Sequence, residues 1–183
     1  MTAFLLHLLR HGAPALPGRL MGRTDCPATA EGIAACIKQV EGLSFDRLIS
    51  SDLVRCADAA RAIGAATIDP RWRELDFGEW DGVAASEVDA AAIGAFWDDP
   101  DANPPPGGER WSSLVERVGE AIRELAPVDT LVVTHGGAMR AALLDLCGFQ
   151  QKDLWAFDLP YAALLTLKIW PGERPTAQIV GLS

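Results

Sequence analysis

The chain has 183 residues, 49% hydrophobic and 22% charged, with a formal net charge of −9. That length and balance suit one soluble domain, residues 1–183, with a proper core. A surface this acidic excludes non-specific binding to nucleic acid or to an anionic membrane, and an anionic substrate would need a local cluster of arginines to offset the field.

Phe4 to Leu9 is an apolar run that stops abruptly at Arg10-His11-Gly12, the pattern of a buried strand delivering polar residues at its C-terminal end. Six residues without a basic flank make neither a signal peptide nor a membrane span. A loop rich in Gly and Pro covers 13–27. From Thr29 a helical spacing (Ile33, Ile37, Val40) runs to about Glu41. Phe45 to Ser50 reads as a second strand, and Ser51-Asp52 as the cap of an alanine-rich helix from Leu53 to about Ala65, with Arg55 in its first turn. A brief strand at Thr67-Ile68 and an extended piece at Trp72–Leu75 follow.

Residues 76–108 form an irregular insertion, expected to cover the active site, with a helix across Ser86–Phe96 and a proline-rich loop from Asp98 to Gly108. An amphipathic helix spans about Trp111 to Leu125. Thr130–Thr134 is the clearest buried strand; it ends in His135-Gly136-Gly137, with a helix from Ala138 to about Cys147 behind it. Two late strands, Ala162–Ile169 and Thr176–Gly181, make a hairpin through Pro171-Gly172. Alternating strands and helices predict a three-layer α/β/α sandwich: a mostly parallel sheet of about six strands with an antiparallel edge strand. Cys26, Cys36, Cys56 and Cys147 form no Cys-x-x-Cys pair and read as reduced thiols in a cytoplasmic protein.

Two strands thus end in histidine and a third ends just before Arg55, so parallel neighbours would gather these residues at one rim, where α/β sheets bind ligands. Phosphoryl transfer needs neutralised non-bridging oxygens, an in-line nucleophile and protonation of the leaving oxygen. Arg10, Arg55 and His135 suit the first need, with the amides of Gly136 and Gly137 as a further anion site. His11 suits the second. Glu74 suits the third, with Asp76, Glu79 and Asp81 as alternatives. His7 shares the first strand's inward face with His11 and reads as a core residue. Arg19 and Arg23 are either solvated loop charges or phosphate contacts. Trp72, Trp80, Trp97 and Trp111 read as core, with one or two available to stack on a substrate ring. No His-x-His or His-Glu-x-x-His spacing offers a metal site, and no Gly-x-Ser-x-Gly elbow offers a serine nucleophile.

Arg10-His11-Gly12, Arg55 in Ser50-Ser51-Asp52-Leu53-Val54-Arg55, Glu74 in Arg73-Glu74-Leu75-Asp76-Phe77-Gly78-Glu79-Trp80-Asp81-Gly82, and Thr134-His135-Gly136-Gly137 together resemble the histidine phosphatase superfamily, in its phosphoglycerate mutase-like branch. The resemblance spans residues 4 to about 147 in the family's order. It implies a phosphoglycerate mutase-like fold, a phosphohistidine at His11, a phosphate pocket of Arg10, Arg55 and His135, Glu74 as proton donor, and no cofactor and no metal. Pro14–Arg19, Gly22-Arg23-Thr24-Asp25 and Pro105-Pro106-Gly107-Gly108-Glu109 are most similar to the α-ribazole phosphatase group. They point to Arg23 and Thr24 as substrate contacts beside Gly136, and to α-ribazole 5′-phosphate as the expected small phosphorylated metabolite. Ala13, Ala28, Asp52 and Arg110 depart from the usual pattern without removing a residue of the implied chemistry. The alternatives are a broad-specificity sugar or nucleotide phosphatase, a mutase of the same fold, or a weakly catalytic phospho-ligand binder. A homodimer is a further expectation, with neither nucleic acid nor membrane as partner.

Overall fold

The computed structural model describes residues 2–183. Its centre is a six-stranded sheet of β1 (Phe4–Arg10), β2 (Arg47–Ser50), β3 (Thr67–Ile68), β4 (Thr130–Thr134), β5 (Leu164–Trp170) and β6 (Thr176–Leu182), in the order β3-β2-β4-β1-β5-β6. The strands β3, β2, β4 and β1 run parallel; β5 is antiparallel to β1, and β6 is antiparallel to β5. The expected hairpin therefore closes one edge of the sheet, and its reversed strand is β5, one place inside the edge.

Five helices cover the sheet: α1 (Ala30–Gln39), α2 (Val54–Ile63), α3 (Ala90–Asp98), α4 (Trp111–Arg123) and α5 (Gly136–Cys147). The period-2 alternation of strand side chains splits the core in two. Leu6, Leu8, Ile49 and Val132 face the layer that holds α4 and α5. Leu9, Leu48, Leu131 and Val133 face α1 and α2, which bring Cys36, Cys56, Ala59 and Ala60. In α4 the buried Trp111, Leu114, Val118 and Ile122 recur at helical spacing and make one apolar stripe. His7 is a core residue as expected, with its Nδ1 3.0 Å from the Thr166 hydroxyl.

Three local expectations are corrected. The extended piece at Trp72–Leu75 is instead a single 3₁₀ turn, Pro70–Trp72, followed by irregular chain. The turn is started by Asp69, whose carboxylate accepts the Arg71 amide. The helix expected from Ser86 begins later, as α3, because Asp89 caps it by accepting the amides of Ala91 and Ala92. The last helix begins at Gly136 rather than Ala138, which places both glycines in its first turn.

Register sets the rim. Arg10 pairs with Thr134 across β1 and β4, and the His11 amide donates to the Thr134 carbonyl at 2.9 Å. The Ser51 amide does the same to Val133 at 3.0 Å. Three strand ends therefore reach one level, and His11, His135 and Ser51 follow them directly. Gly12 makes this possible on the α1 side, because a Cβ there would lie 2.1 Å from the Gly32 carbonyl oxygen. The two backbones cross at a distance only glycine allows.

Candidate active site

Above the rim lies a cavity of about 210 Å³. Its polar end is lined by Arg10, His11, Glu74, Gly136, Gly137 and Arg140, and its mouth by Arg19. Its apolar wall is Leu20, Met21, Leu75, Phe77, Phe96, Trp97, Trp111, Trp155 and Tyr161. The insertion thus contributes Phe77, Phe96 and Trp97 to this wall, and its Pro100 also lines the cavity.

His11 donates its Nδ1 proton to the carbonyl of Gly12 at 2.8 Å. A carbonyl only accepts, so the lone pair of the neutral ring sits on Nε2. Burial, reinforced by the charges of Arg55 and Arg10, pushes the His11 pKa down to about 3. The ring is held neutral and nucleophilic. His135 meets it edge to face at 5.1 Å between centroids. Its pKa is also held well below the ordinary value by burial and by Arg55. Its Nε2 lies 3.0 Å from the Ser51 hydroxyl and 3.3 Å from Cys56 Sγ. His135 and both partners are buried.

Arg55 is 1% exposed. It reaches under the loop after β1 and donates to the carbonyls of Met21 (2.8 Å), Gly22 (3.3 Å) and Thr24 (2.9 Å). Arg10 donates to the Leu159 carbonyl and lies 4.4 Å over the Tyr161 ring. Neither guanidinium has a carboxylate partner among the described residues, and the Nε of each is buried without a hydrogen bond there. Buried donors in that state call for an acceptor, and a phosphoryl group supplies several.

Glu74 accepts the amide of Leu75 on one oxygen (2.8 Å) and that of Gly137 on the other (3.0 Å). The N-terminus of α5 therefore already holds a carboxylate, as its dipole favours. The expected anion site on both glycine amides is corrected accordingly, since Gly137 is committed to Glu74. The three alternative acids do not line the cavity. Asp76 pairs with Arg23, Asp81 accepts the amides of Gly22, Arg23 and Thr24, and Glu79 sits in a 3₁₀ turn outside the lining.

Arg23 and Thr24, expected as substrate contacts, do not line the cavity. Asp81 gathers their backbone, the Arg23 side chain turns to Asp76 at 3.1 Å, and Thr24 contributes its carbonyl to Arg55. They shape the Arg55 pocket rather than the cavity wall. Arg140, Trp155 and Tyr161 were not apparent in the sequence. Arg140 stands four residues after Gly136, so one helical face carries both, a signal that was readable. Trp155 comes from the 3₁₀ helix Gln151–Ala156 and Tyr161 from the loop after it, both too short for a periodicity to mark an inward side. Among the described residues no three His, Cys, Asp or Glu side chains converge as a metal site, and no helix is long and apolar enough to cross a membrane.

A sheet covered on both faces that brings two buried histidines, two unneutralised guanidiniums and an amide-held carboxylate to one rim defines a phosphoryl-transfer enzyme. Residues 6–180 match the histidine phosphatase superfamily (branch 1), and the chain belongs to that family. It is 34% identical over 167 residues to the glucosyl-3-phosphoglycerate phosphatase of Mycolicibacterium vanbaalenii, covering 77% of this chain and 74% of that one. It is 28% identical over 169 residues to the adenosylcobalamin/α-ribazole phosphatase of Escherichia coli, covering 83% of each. The native structure of a mycobacterial glucosyl-3-phosphoglycerate phosphatase superposes with a TM-score of 0.86 at 25% identity, over 98% of both chains. The protein is a phosphatase of the histidine type.

Proposed function

We propose that the protein hydrolyses a phosphomonoester whose alcohol carries an aromatic ring, through a phosphohistidine on His11, with α-ribazole 5′-phosphate as the specific candidate. The observation that carries the ring is the wall of Trp97, Trp111, Trp155, Phe77, Phe96 and Tyr161 in the cavity that holds His11.

The steps follow from the residues. Arg10, Arg55 and His135 hold the non-bridging oxygens and satisfy the guanidinium donors that the protein leaves free. The Nε2 lone pair of His11 attacks phosphorus, the ester P–O bond breaks, and Glu74 gives its proton to the departing alkoxide. Water then attacks the phosphohistidine, Glu74 takes the proton, and inorganic phosphate leaves with His11 restored.

A second reading is favoured by Arg140. It donates to the carbonyls of Leu154 (3.3 Å), Phe157 (3.0 Å) and Gly136 (3.4 Å), which uses three of a guanidinium's five donors. The two others suit a carboxylate, such as that of glucosyl-3-phosphoglycerate. Phosphate release from α-ribazole 5′-phosphate, glucosyl-3-phosphoglycerate and 3-phosphoglycerate, compared as kcat/KM, decides between them. A preference for the ring-bearing ester, lost in His11→Ala, supports the first reading; a preference for the carboxylates discards it.

A further inference from the structure

One side chain outside the cavity binds three carbonyls of the chain that leads to and carries Glu74. Arg117 projects from α4, whose Trp111, Leu114 and Val118 are anchored in the core. Its Nη1 donates to the carbonyls of Arg71 (2.6 Å) and Arg73 (2.8 Å). Its Nη2 donates to the carbonyl of Glu74 (2.9 Å) and to Glu109 Oε2 (2.9 Å), and its Nε to Glu109 Oε1 (2.7 Å). A guanidinium has five N–H donors, and all five are used. Glu109 also accepts the amide of Asp76 at 3.2 Å, so the pair grips the chain on both sides of Glu74.

We propose that Arg117, neutralised by Glu109, is a positioning residue for Glu74: it fixes the backbone from which the carboxylate reaches the leaving oxygen. The inference rests on the assignment of Glu74 as proton donor. Residues 73–77 belong to no helix or strand, so neither a ladder nor helical bonds hold that backbone in place. The other end of Glu74 is fixed by the amides of Leu75 and Gly137. With both ends held, the carboxylate keeps one place at the N-terminus of α5. The Glu109 carboxylate cancels the charge of Arg117, so the pair acts on Glu74 through geometry.

The test is a series of alkyl and aryl phosphates ordered by leaving-group pKa, with kcat/KM measured on each. A working proton donor makes this dependence shallow, and Glu74→Gln steepens it. For Arg117→Lys, which keeps the charge but loses the planar fork, we expect a loss of about 10- to 100-fold on alkyl phosphates against less than about threefold on p-nitrophenyl phosphate. Adding it to Glu74→Gln should steepen the dependence no further. The double variant Glu109→Gln/Arg117→Gln removes both charges together, which spares the fold an unpaired buried ion, and should show the same steepening. A uniform loss across the series in both variants, or no loss, overturns the proposal as a merely structural effect. If Glu74→Gln itself leaves the dependence shallow, the proton-donor assignment is what fails, and the proposal falls with it.

Discussion

A Cβ on Gly137 would lie 2.0 Å from Oε1 of Glu74. The carboxylate occupies the space that any side chain at Gly137 would need. The clashing atom is the end of a flexible side chain, so Gly137→Ala displaces Glu74 while the helix persists. We expect the alanine variant to lose activity on alkyl phosphates by about 10²-fold or more, with a thermal midpoint within a few degrees of the parent. Activity assays beside a melting curve check both halves. A fully active Gly137→Ala would mean that Glu74 is dispensable or can act from another place.

The buried histidines make stability depend on pH. His7, His11 and His135 all have pKa values below the ordinary 6.5 in the fold. As pH falls below 6.5 the unfolded chain takes up protons that the folded chain refuses, so stability is fully present above that pH and is lost toward the folded pKa, about 3 for His11. Each such group contributes a slope of up to about 1.4 kcal/mol per pH unit. Asp52, Asp69 and Asp101 have depressed values, and their contribution is lost only below about pH 4. Urea unfolding at pH 7 and pH 5 should therefore show a loss of about 2–4 kcal/mol, less in His11→Asn. A stability unchanged between those two pH values is incompatible with neutral buried rings.

The loop before α1 caps the helix after β2. Ser51 and Asp52 read as the cap in sequence, yet Asp25 Oδ1 accepts the Val54 amide at 2.7 Å, and Asp52 is drawn away to Arg73 at 2.7 Å. Asp25→Ala should cost about 1 kcal/mol. It should also weaken phosphate binding, because the same loop supplies the carbonyls that hold Arg55. Equilibrium unfolding and phosphate titration read the two effects. Loss of neither would place the cap elsewhere.

That misplaced cap shows where sequence reading stops. His11 and His135 were legible because each directly follows a strand whose apolar run announces it, and Arg55 because it stands in the first turn of the helix after β2; parallel register does the rest. Glu74 was legible only by its motif, since its position depends on Arg117, 43 residues away, and on Gly137, 63 away. Asp25 reaches α2 across 29 residues. The orientation of Arg23 was not legible, because a loop arginine near a phosphate motif looks the same in sequence whether it faces a ligand or, as here, an aspartate. Periodicity reports which face of an element is buried. It carries nothing about loops that fold back over a rim.

Arg10 and Arg55 share a charge and a proposed ligand but differ in what else depends on them. Arg55 satisfies three carbonyls, and Arg10 one. Arg55→Lys keeps the charge and loses the fork, leaving carbonyls of the Met21–Thr24 loop unpaired at about 1–3 kcal/mol each. Arg10→Lys loses one such bond and the stacking on Tyr161, and should cost about 1 kcal/mol. Phosphate stabilises the fold in proportion to its affinity, so melting with and without it separates the two roles. We expect a smaller phosphate-induced rise in both variants, and a markedly lower baseline in Arg55→Lys alone. Equal baselines would mean that the loop carbonyls find water when the fork is gone, and that Arg55 is held in place by its ligand rather than by the loop.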